Sequence, residues 1–273
     1  MASGKKSKER RRAAQVKPPP PVRGRGTAGA RQASPAVLAA AAGVVALILA
    51  AVVLALVLSK GKSNSVGPLP TNGSLVDAMP GAADVNSLLK GIPQHGLTLG
   101  SQFAPVTLVE YIDPQCPYCS AFETQVMPTL ISRYVRTGKV RVQARVLAFI
   151  GPDSTRGRDA ILAAGLQNKA FNFAQLLYDN QGTENTGWLD DSVVSQTAKS
   201  IPGLNPKQLF AVRDSSTVKS QSTTFDTQAN QDGVKGTPTL YVGKSGGKST
   251  KVALRSATDG TSVVQAVERA LAA

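Results

Sequence analysis

The only two cysteines of the chain, Cys116 and Cys119, are separated by two residues in the stretch DPQCPYCS. Two thiols this close can carry out thiol–disulfide exchange, in which one thiolate attacks and its neighbour resolves the mixed disulfide. Two other uses remain open. A structural zinc site needs about four ligands, and the single histidine, His95, lies in a segment that we interpret as a linker. A structural disulfide over so short a loop stabilises little.

The residues around the pair favour exchange. Cys116 follows the strand-like run VTLVEYID and opens a predicted helix, where unpaired N–H groups and the helix dipole stabilise a thiolate. We therefore expect Cys116 to be open to solvent, with a pKa below about 8.5. Pro117 suits the first helical position. Cys119 lies one turn further in, so we predict Cys116 as the nucleophile, Cys119 as the resolving thiol, and a Cys116–Cys119 disulfide in the oxidised enzyme.

The elements that must position this pair are strands and helices in alternation. We predict strands at 106–113, 139–149 and 237–243, with KVALR as the hairpin partner of the last strand. Predicted helices span 116–138, 154–180 and 190–200, and two more follow the Asn205–Pro206 cap and form SVVQAVERALAA. Pro128 should kink the first helix and Gly138 should end it. This order is typical of an α/β fold whose middle is interrupted by helices.

The stretch VTLVEYIDPQCPYCSAFE resembles the thioredoxin superfamily, and closely the DsbA-like thiol–disulfide oxidoreductases of bacterial envelopes. GTPT, at 236–239, is similar to the cis-proline loop of the superfamily, with Pro238 as its proline. RDAILAAGLQNKAFNFAQLLYDNQ is similar to the DsbA-like helical insertion, and Glu110 occupies the place of a buried acid beneath the active site. The resemblance covers about residues 96–273 and implies a thioredoxin-like α/β fold with a helical insertion at about 152–230.

The resemblance also implies roles for individual residues. A cis Thr237–Pro238 bond would press the chain against Cys116 and turn the Thr237 backbone toward an extended substrate. A buried Glu110 would have a raised pKa and could take and return the proton of Cys119. Two alternatives stay open: Pro238 as a trans proline that begins a strand, and Glu110 as a surface residue of an edge strand.

The dipeptide between the cysteines, Pro117-Tyr118, departs from the Pro-His of strongly oxidising DsbA proteins. Tyr118 cannot supply a positive charge near neutral pH. Glutaredoxins, which also carry Pro-Tyr, have potentials of about −200 to −230 mV, against about −120 mV for DsbA. We therefore predict an oxidant of intermediate strength, in which Tyr118 could instead pack against substrate.

The first third of the chain has a different composition. Residues 1–35 hold ten of the 31 basic residues against one acidic residue, and we interpret them as a disordered, basic cytoplasmic tail. The segment 36–58, AVLAAAAGVVALILAAVVLALVL, has 23 residues without a charge. A helix of that length reaches about 35 Å, enough to cross a bilayer. The alternative is a cleaved signal peptide, but the run is long for one and no suitable cleavage site follows.

These features predict a single-pass protein of the cell membrane, with 59–95 as an extracytoplasmic linker and 96–273 as the catalytic domain outside the cytoplasm. Anionic membrane lipid would attract the basic tail, whereas nucleic acid is not an expected partner because the tail has no aromatic residue. We predict an enzyme without metal or other cofactor that oxidises cysteines of exported proteins.

The family implies a quinone-linked membrane partner, DsbB-like or vitamin K epoxide reductase-like, that reoxidises the pair. Two alternatives remain: a disulfide reductase or isomerase that uses the same site, and a non-catalytic binding or chaperone module of the same fold.

Overall fold

The computed structural model describes residues 66–273. The predicted basic tail, the predicted membrane span at 36–58 and the start of the predicted linker lie outside the described residues. From residue 66 onward, no helix is both long enough and apolar enough to cross a bilayer.

A mixed sheet of six strands, in the order β1-β2-β4-β3-β5-β6, forms the centre of the fold. The strands are β1 (Gln94–His95), β2 (Thr98–Leu99), β3 (Val106–Ile112), β4 (Val140–Val146), β5 (Thr239–Lys244) and β6 (Ser249–Lys251). Central strand β3 is parallel to β4 and antiparallel to β5. The sequence VTLVEYI leaves only Thr107 partly exposed, as a strand covered on both faces requires.

The last hairpin differs from the prediction. Strand β6 is Ser249–Lys251 rather than KVALR, and Tyr241 of β5 pairs with Lys251. Gly246 has φ +79°, a left-handed conformation that lets the chain turn early. The pairing therefore begins two residues sooner than we predicted.

Nine α-helices and one π-helical turn pack around the sheet in the described part of the chain. The helices are α1 (Ala82–Leu89), α2 (Pro117–Gln125), α3 (Met127–Leu130), α4 (Pro152–Gly165), α5 (Ala170–Asp179), α6 (Asp191–Lys199), α7 (Pro206–Val212), α8 (Ser216–Gln231) and α9 (Gly260–Ala272). The π-helical turn is Ile131–Val135. Helices α4 to α8 all lie between β4 and β5, which confirms the predicted helical insertion.

The helix that begins at the cysteines is broken where the sequence predicts a kink. Helix α2 ends before Val126 and α3 resumes after it, because Pro128 has no N–H to continue the helical hydrogen bonds. Gly138, with φ +73°, then ends the segment. The buried apolar residues of this segment include Phe122 and Leu130.

The predicted helix at 154–180 is two helices. Helix α4 ends at Gly165 and α5 begins at Ala170. Between them Asn168 adopts φ +58°, and no helix continues through a left-handed residue. The predicted cap at Asn205 is confirmed, since its side chain accepts a hydrogen bond from Gln208 N at 3.0 Å.

The fold begins well before Gly96, so the predicted linker is too long. Gly73 N donates to Leu204 O at 2.8 Å and Ser74 N to Lys199 O at 2.7 Å, which attaches this segment to the helical insertion. Helix α1 buries Val85 and Leu89. The segment is rich in turn-forming residues, so its few core side chains were not recognised as part of the domain.

Candidate active site

Cys116 is the N-cap residue of helix α2. Its backbone is extended, with φ −69° and ψ 117°, and Pro117 occupies the first turn of the helix. The sulfur accepts a hydrogen bond from Cys119 N, at 3.4 Å. A proline at this position loses no intrahelical bond and fixes the backbone for helix formation. The sequence therefore places the first sulfur against the unpaired N–H groups of a helix start.

The two sulfurs differ in acidity because their surroundings differ. The Cys119 thiol hydrogen-bonds to the Cys116 sulfur and, with the Thr237 side chain, lowers the pKa of Cys116 to about 6 despite its burial. Cys119 has no exposed surface. Burial, above all, raises the pKa of Cys119 well above the ordinary value, and the neighbouring Cys116 adds to this. Cys116 can therefore be a thiolate at neutral pH while Cys119 keeps its proton.

Both cysteines are free thiols, so the structure shows the reduced form of the pair. The predicted Cys116–Cys119 disulfide belongs to the oxidised form and stays a prediction.

The expectation that Cys116 lies open to solvent is wrong: the residue is only 4% exposed. The reason is the chain segment that lies over it. The Cys116 thiol donates to Thr237 O at 3.2 Å, and the Thr237–Pro238 peptide is cis, as the resemblance implied. The adjacent Tyr118 is 65% exposed. The Thr237–Pro238 loop therefore covers Cys116, while the next residue but one in the helix stays accessible.

Glu110 lies in central strand β3 and is 1% exposed, so the alternative of a surface glutamate on an edge strand is wrong. Burial raises its pKa to about 7, although a hydrogen bond with Glu123 acts in the opposite direction. Sequence reasoning did not single out Glu123. It lies on α2 beside buried Phe122, one helical turn after Cys119, and this position on the inner face of the helix was the available signal.

The two glutamates form one buried unit. Burial and the negative charge of Glu110 raise the pKa of Glu123 well above its usual range. The Gln175 amide donates a hydrogen bond to Glu123. Glu110 Oε2 and Glu123 Oε1 are buried without a hydrogen-bond donor in the described structure. Because two carboxylates can only accept, one proton between them satisfies both.

Asp113 is a second buried acid that sequence reasoning did not single out. It has no exposed surface and accepts hydrogen bonds from Ser154 Oγ at 2.6 Å, Phe149 N at 2.6 Å and Gln115 N at 2.8 Å. These donors come from the active-site turn, from the segment after β4 and from α4. Asp113 therefore fastens the turn before Cys116 to the helical insertion.

His95 lies in β1 with an exposed side chain, rather than in a linker. Between residues 66 and 273, no three His, Cys, Asp or Glu side chains are grouped closely enough to hold a metal ion.

Comparison with known proteins connects this geometry to a family. Residues 94–256 match the family model described as thioredoxin. The probable disulfide bond formation protein D of Bacillus cereus is 30% identical over 148 residues, which cover 53% of this chain and 68% of that protein. Disulfide bond formation protein D of Bacillus subtilis is 30% identical over 160 residues, covering 56% and 68%.

Solved structures agree on the fold. Oxidised BdbD from Bacillus subtilis matches with a TM-score of 0.57 at 23% identity, over 67% of this chain and 98% of that one. These relationships argue against a non-catalytic binding module. The chain belongs to the thioredoxin family, and within it is a DsbA-like thiol–disulfide oxidoreductase.

Proposed function

We propose that this oxidoreductase is tethered to the cell membrane by residues 36–58 and oxidises cysteines of exported proteins outside the cytoplasm. The uncharged 23-residue run and the basic residues before it support the tether and its orientation. Disulfides persist in such a compartment. A tether in the same membrane would also keep the enzyme close to a quinone-linked reoxidant of the DsbB-like or vitamin K epoxide reductase-like kind.

The observation that carries the oxidising role is the low pKa of Cys116, about 6, beside the high pKa of Cys119. A stabilised Cys116 thiolate favours the reduced form of the enzyme over its disulfide. An enzyme whose reduced form is stabilised is the stronger oxidant. The same thiolate is also the better leaving group when substrate is released.

The cycle begins when a substrate thiolate attacks the Cys116 sulfur of the oxidised enzyme. The Cys116–Cys119 bond breaks, a mixed disulfide between Cys116 and substrate forms, and Cys119 leaves with the electron pair and takes a proton. A second substrate thiolate then attacks the substrate sulfur of the mixed disulfide, and Cys116 leaves as a thiolate. The substrate has lost two electrons, which the enzyme dithiol passes to the reoxidant.

Glu110 and Glu123 would supply the proton that Cys119 takes. Their pKa values are both raised, and Glu110 titrates at about 7, so the pair holds a proton at neutral pH. Glu110 precedes the active-site turn on β3, and Glu123 follows Cys119 by one turn on α2. During reoxidation the pair would accept the same proton when Cys119 attacks again.

The segment over Cys116 would bind substrate. Thr237 precedes β5, and its carbonyl is already 3.2 Å from the Cys116 sulfur. An extended substrate segment that pairs with this backbone would bring its own cysteine to Cys116. Exposed Tyr118 would cover one side of that segment.

Replacing Cys119 with serine in cells tests the proposal. Cys119→Ser cannot form the enzyme disulfide, but its Cys116 thiolate can still attack disulfides of exported proteins, which is the reverse of the release step. No neighbouring thiol then resolves the mixed disulfide, so these complexes should accumulate. Mass spectrometry of the trapped complexes would identify substrates and reoxidant together. Cys116→Ser is the matched control. If diagonal gels show no more complexes with Cys119→Ser than with Cys116→Ser, Cys116 is not the nucleophile.

Location is tested separately by labelling intact cells with a membrane-impermeant maleimide after mild reduction. Labelling of Cys116 in intact cells supports an extracytoplasmic site. Labelling only after lysis would contradict it.

A reductase or isomerase remains the second candidate, because Tyr118 brings no cation to the thiolate. Equilibration with glutathione distinguishes the two. A reduction potential well below about −270 mV, the value of thioredoxin, would identify a reductase.

A further inference from the structure

The helical insertion holds the active-site turn by its backbone carbonyls. Between β3 and α2, three carbonyl oxygens accept hydrogen bonds from insertion side chains just at and beyond the end of α5. Tyr178 Oη donates to Asp113 O at 3.0 Å. Gln181 Nε2 donates to Pro114 O at 2.9 Å and to Cys116 O at 3.2 Å. The insertion therefore holds the turn through three hydrogen bonds, to the carbonyls of Asp113, Pro114 and Cys116.

Gln181 has a particular place among these contacts, because a single amide nitrogen reaches the carbonyls on both sides of Gln115. Cys116 O also accepts the first hydrogen bond of helix α2, from Ser120 N at 3.1 Å. The orientation of the Cys116 backbone decides where its sulfur points. That sulfur meets Cys119 N at 3.4 Å, a long contact that a small rotation of the backbone would break.

We propose that Gln181 is a positioning residue for thiol–disulfide exchange: by holding the Pro114 and Cys116 carbonyls, it keeps the Cys116 sulfur aligned with the amide and thiol of Cys119. The helical insertion thus contributes to the redox properties of the pair. The proposal concerns exchange in either direction and rests on Cys116 as the attacking sulfur, which the trapping experiment tests independently.

The titratable groups around Cys116 come from several elements. Cys119 lies on its own helix and Tyr178 on α5, where burial and the nearby cysteines raise the pKa of the phenol well above its usual range. The Asp113 carboxyl lies in the turn before Cys116. Gln181 itself is uncharged, so replacing it with alanine changes the geometry of the turn without changing the charge around the sulfur.

The test measures two properties of purified protein with Gln181→Ala. The first is the pKa of Cys116, from the pH dependence of thiolate absorbance. The second is the equilibrium constant for disulfide formation with glutathione. We expect the Cys116 pKa to rise by about half a unit to one unit. At a pH well above the Cys116 pKa, the equilibrium should then shift about three- to tenfold toward the protein disulfide, since one pKa unit is a tenfold change in protonation.

Gln181→Met is the second variant, because it preserves the length of the side chain and adds no charge but has no N–H to donate. We expect the Cys116 pKa to rise as in Gln181→Ala. Should either variant unfold, the other still gives a result.

The matched control is Asn180→Ala. Asn180 is the adjacent residue and its amide also donates to two carbonyls, Pro80 O and Leu176 O, both at 2.9 Å, but neither belongs to the active-site turn. We expect its Cys116 pKa and glutathione equilibrium to match those of the unmodified protein. The proposal is overturned if both Gln181 variants leave these two quantities unchanged, or if Asn180→Ala shifts them equally.

Discussion

Two identical side chains, Cys116 and Cys119, acquire opposite properties within one turn of helix. The Cys116 pKa of about 6 lies well below that of a free thiol, because the Cys119 thiol and the Thr237 side chain hydrogen-bond to the sulfur and the backbone N–H groups of Cys119 and Tyr118 add to this effect. Cys119, which has no exposed surface, remains protonated because burial disfavours its charged form.

This difference predicts the pH dependence of alkylation. For the reduced enzyme, we expect the rate of reaction with iodoacetamide to rise with pH and to reach half its maximum near pH 6, because the thiolate is the reactive form. Peptide mapping should find the label on Cys116, since Cys119 is buried and protonated. A midpoint near pH 8.5, or label mainly on Cys119, would contradict the assigned roles.

The buried Glu110 predicts a pH-dependent stability. Its pKa is raised in the folded state, so the folded protein favours the protonated form, and stability is lost as pH rises toward about 7. Glu110→Gln removes this titration. The difference in free energy of unfolding between the variant and the unmodified protein should therefore increase, in favour of the variant, by on the order of 2 kcal/mol from pH 4.5 to pH 7.5.

Urea unfolding at several pH values measures this difference. The amide also changes local hydrogen bonding, which shifts the stability of the variant equally at every pH. The informative quantity is therefore how the difference in free energy of unfolding changes with pH, rather than its value at one pH. A difference that does not change with pH would show that Glu110 titrates normally.

At the scale of elements, helix α4 sets the position of the active-site turn. Gly157 of α4 lies so close to the turn that an added Cβ would be 2.7 Å from Pro114 Cβ and 2.5 Å from Leu189 Cδ2. The leucine methyl can rotate away, but the proline ring belongs to the backbone turn that leads to Cys116. The helix approaches this closely only because glycine has no side chain.

Gly157→Ala should therefore move the turn. Overpacking costs about 1–3 kcal/mol of stability. The better helix propensity of alanine offsets at most about 1 kcal/mol of this cost, so we expect the free energy of unfolding to fall by about 1 kcal/mol. The midpoint of Cys116 alkylation should also shift.

The control is Asn205→Ala, which removes the cap of α7 and should also cost about 1 kcal/mol. That variant should leave the alkylation midpoint unchanged. If the midpoint is unchanged in Gly157→Ala as well, the packing of α4 does not affect the reactivity of Cys116 and the prediction is wrong.

The elements that sequence predicted well are those with a strong local signal. Strand β3, the proline break near Val126 and the cap at Asn205 each follow from a few adjacent residues. Asp113, Glu123 and Gln181 were not identified, because their roles depend on partners tens of residues away. The exposure of Cys116 was misjudged for the same reason, since the chain that covers it is 121 residues downstream.

At the scale of the whole molecule, the segment before β2 connects the two parts of the domain. Its first residues bind the insertion through Gly73 and Ser74. Helix α1 then packs against α5 and against the π-helical turn that follows α3. Arg136, directly after the π-helical turn, supports this contact by donating a hydrogen bond to Leu88 O of α1 at 2.6 Å. The segment therefore joins the insertion to the thioredoxin-like core.

This arrangement predicts where the chain can be shortened. Val85, Leu89 and Ile92 are 5%, 3% and 8% exposed, and burying each such side chain contributes about 1.5–3 kcal/mol. A chain of residues 96–273 loses all three, on the order of 5–9 kcal/mol, comparable with the whole stability of a typical domain. We expect residues 66–273 to unfold cooperatively and to exchange disulfides with glutathione, and residues 96–273 to be largely unfolded. Circular dichroism and urea titration of the two chains measure this, and equal stability would place the domain boundary at Gly96 after all.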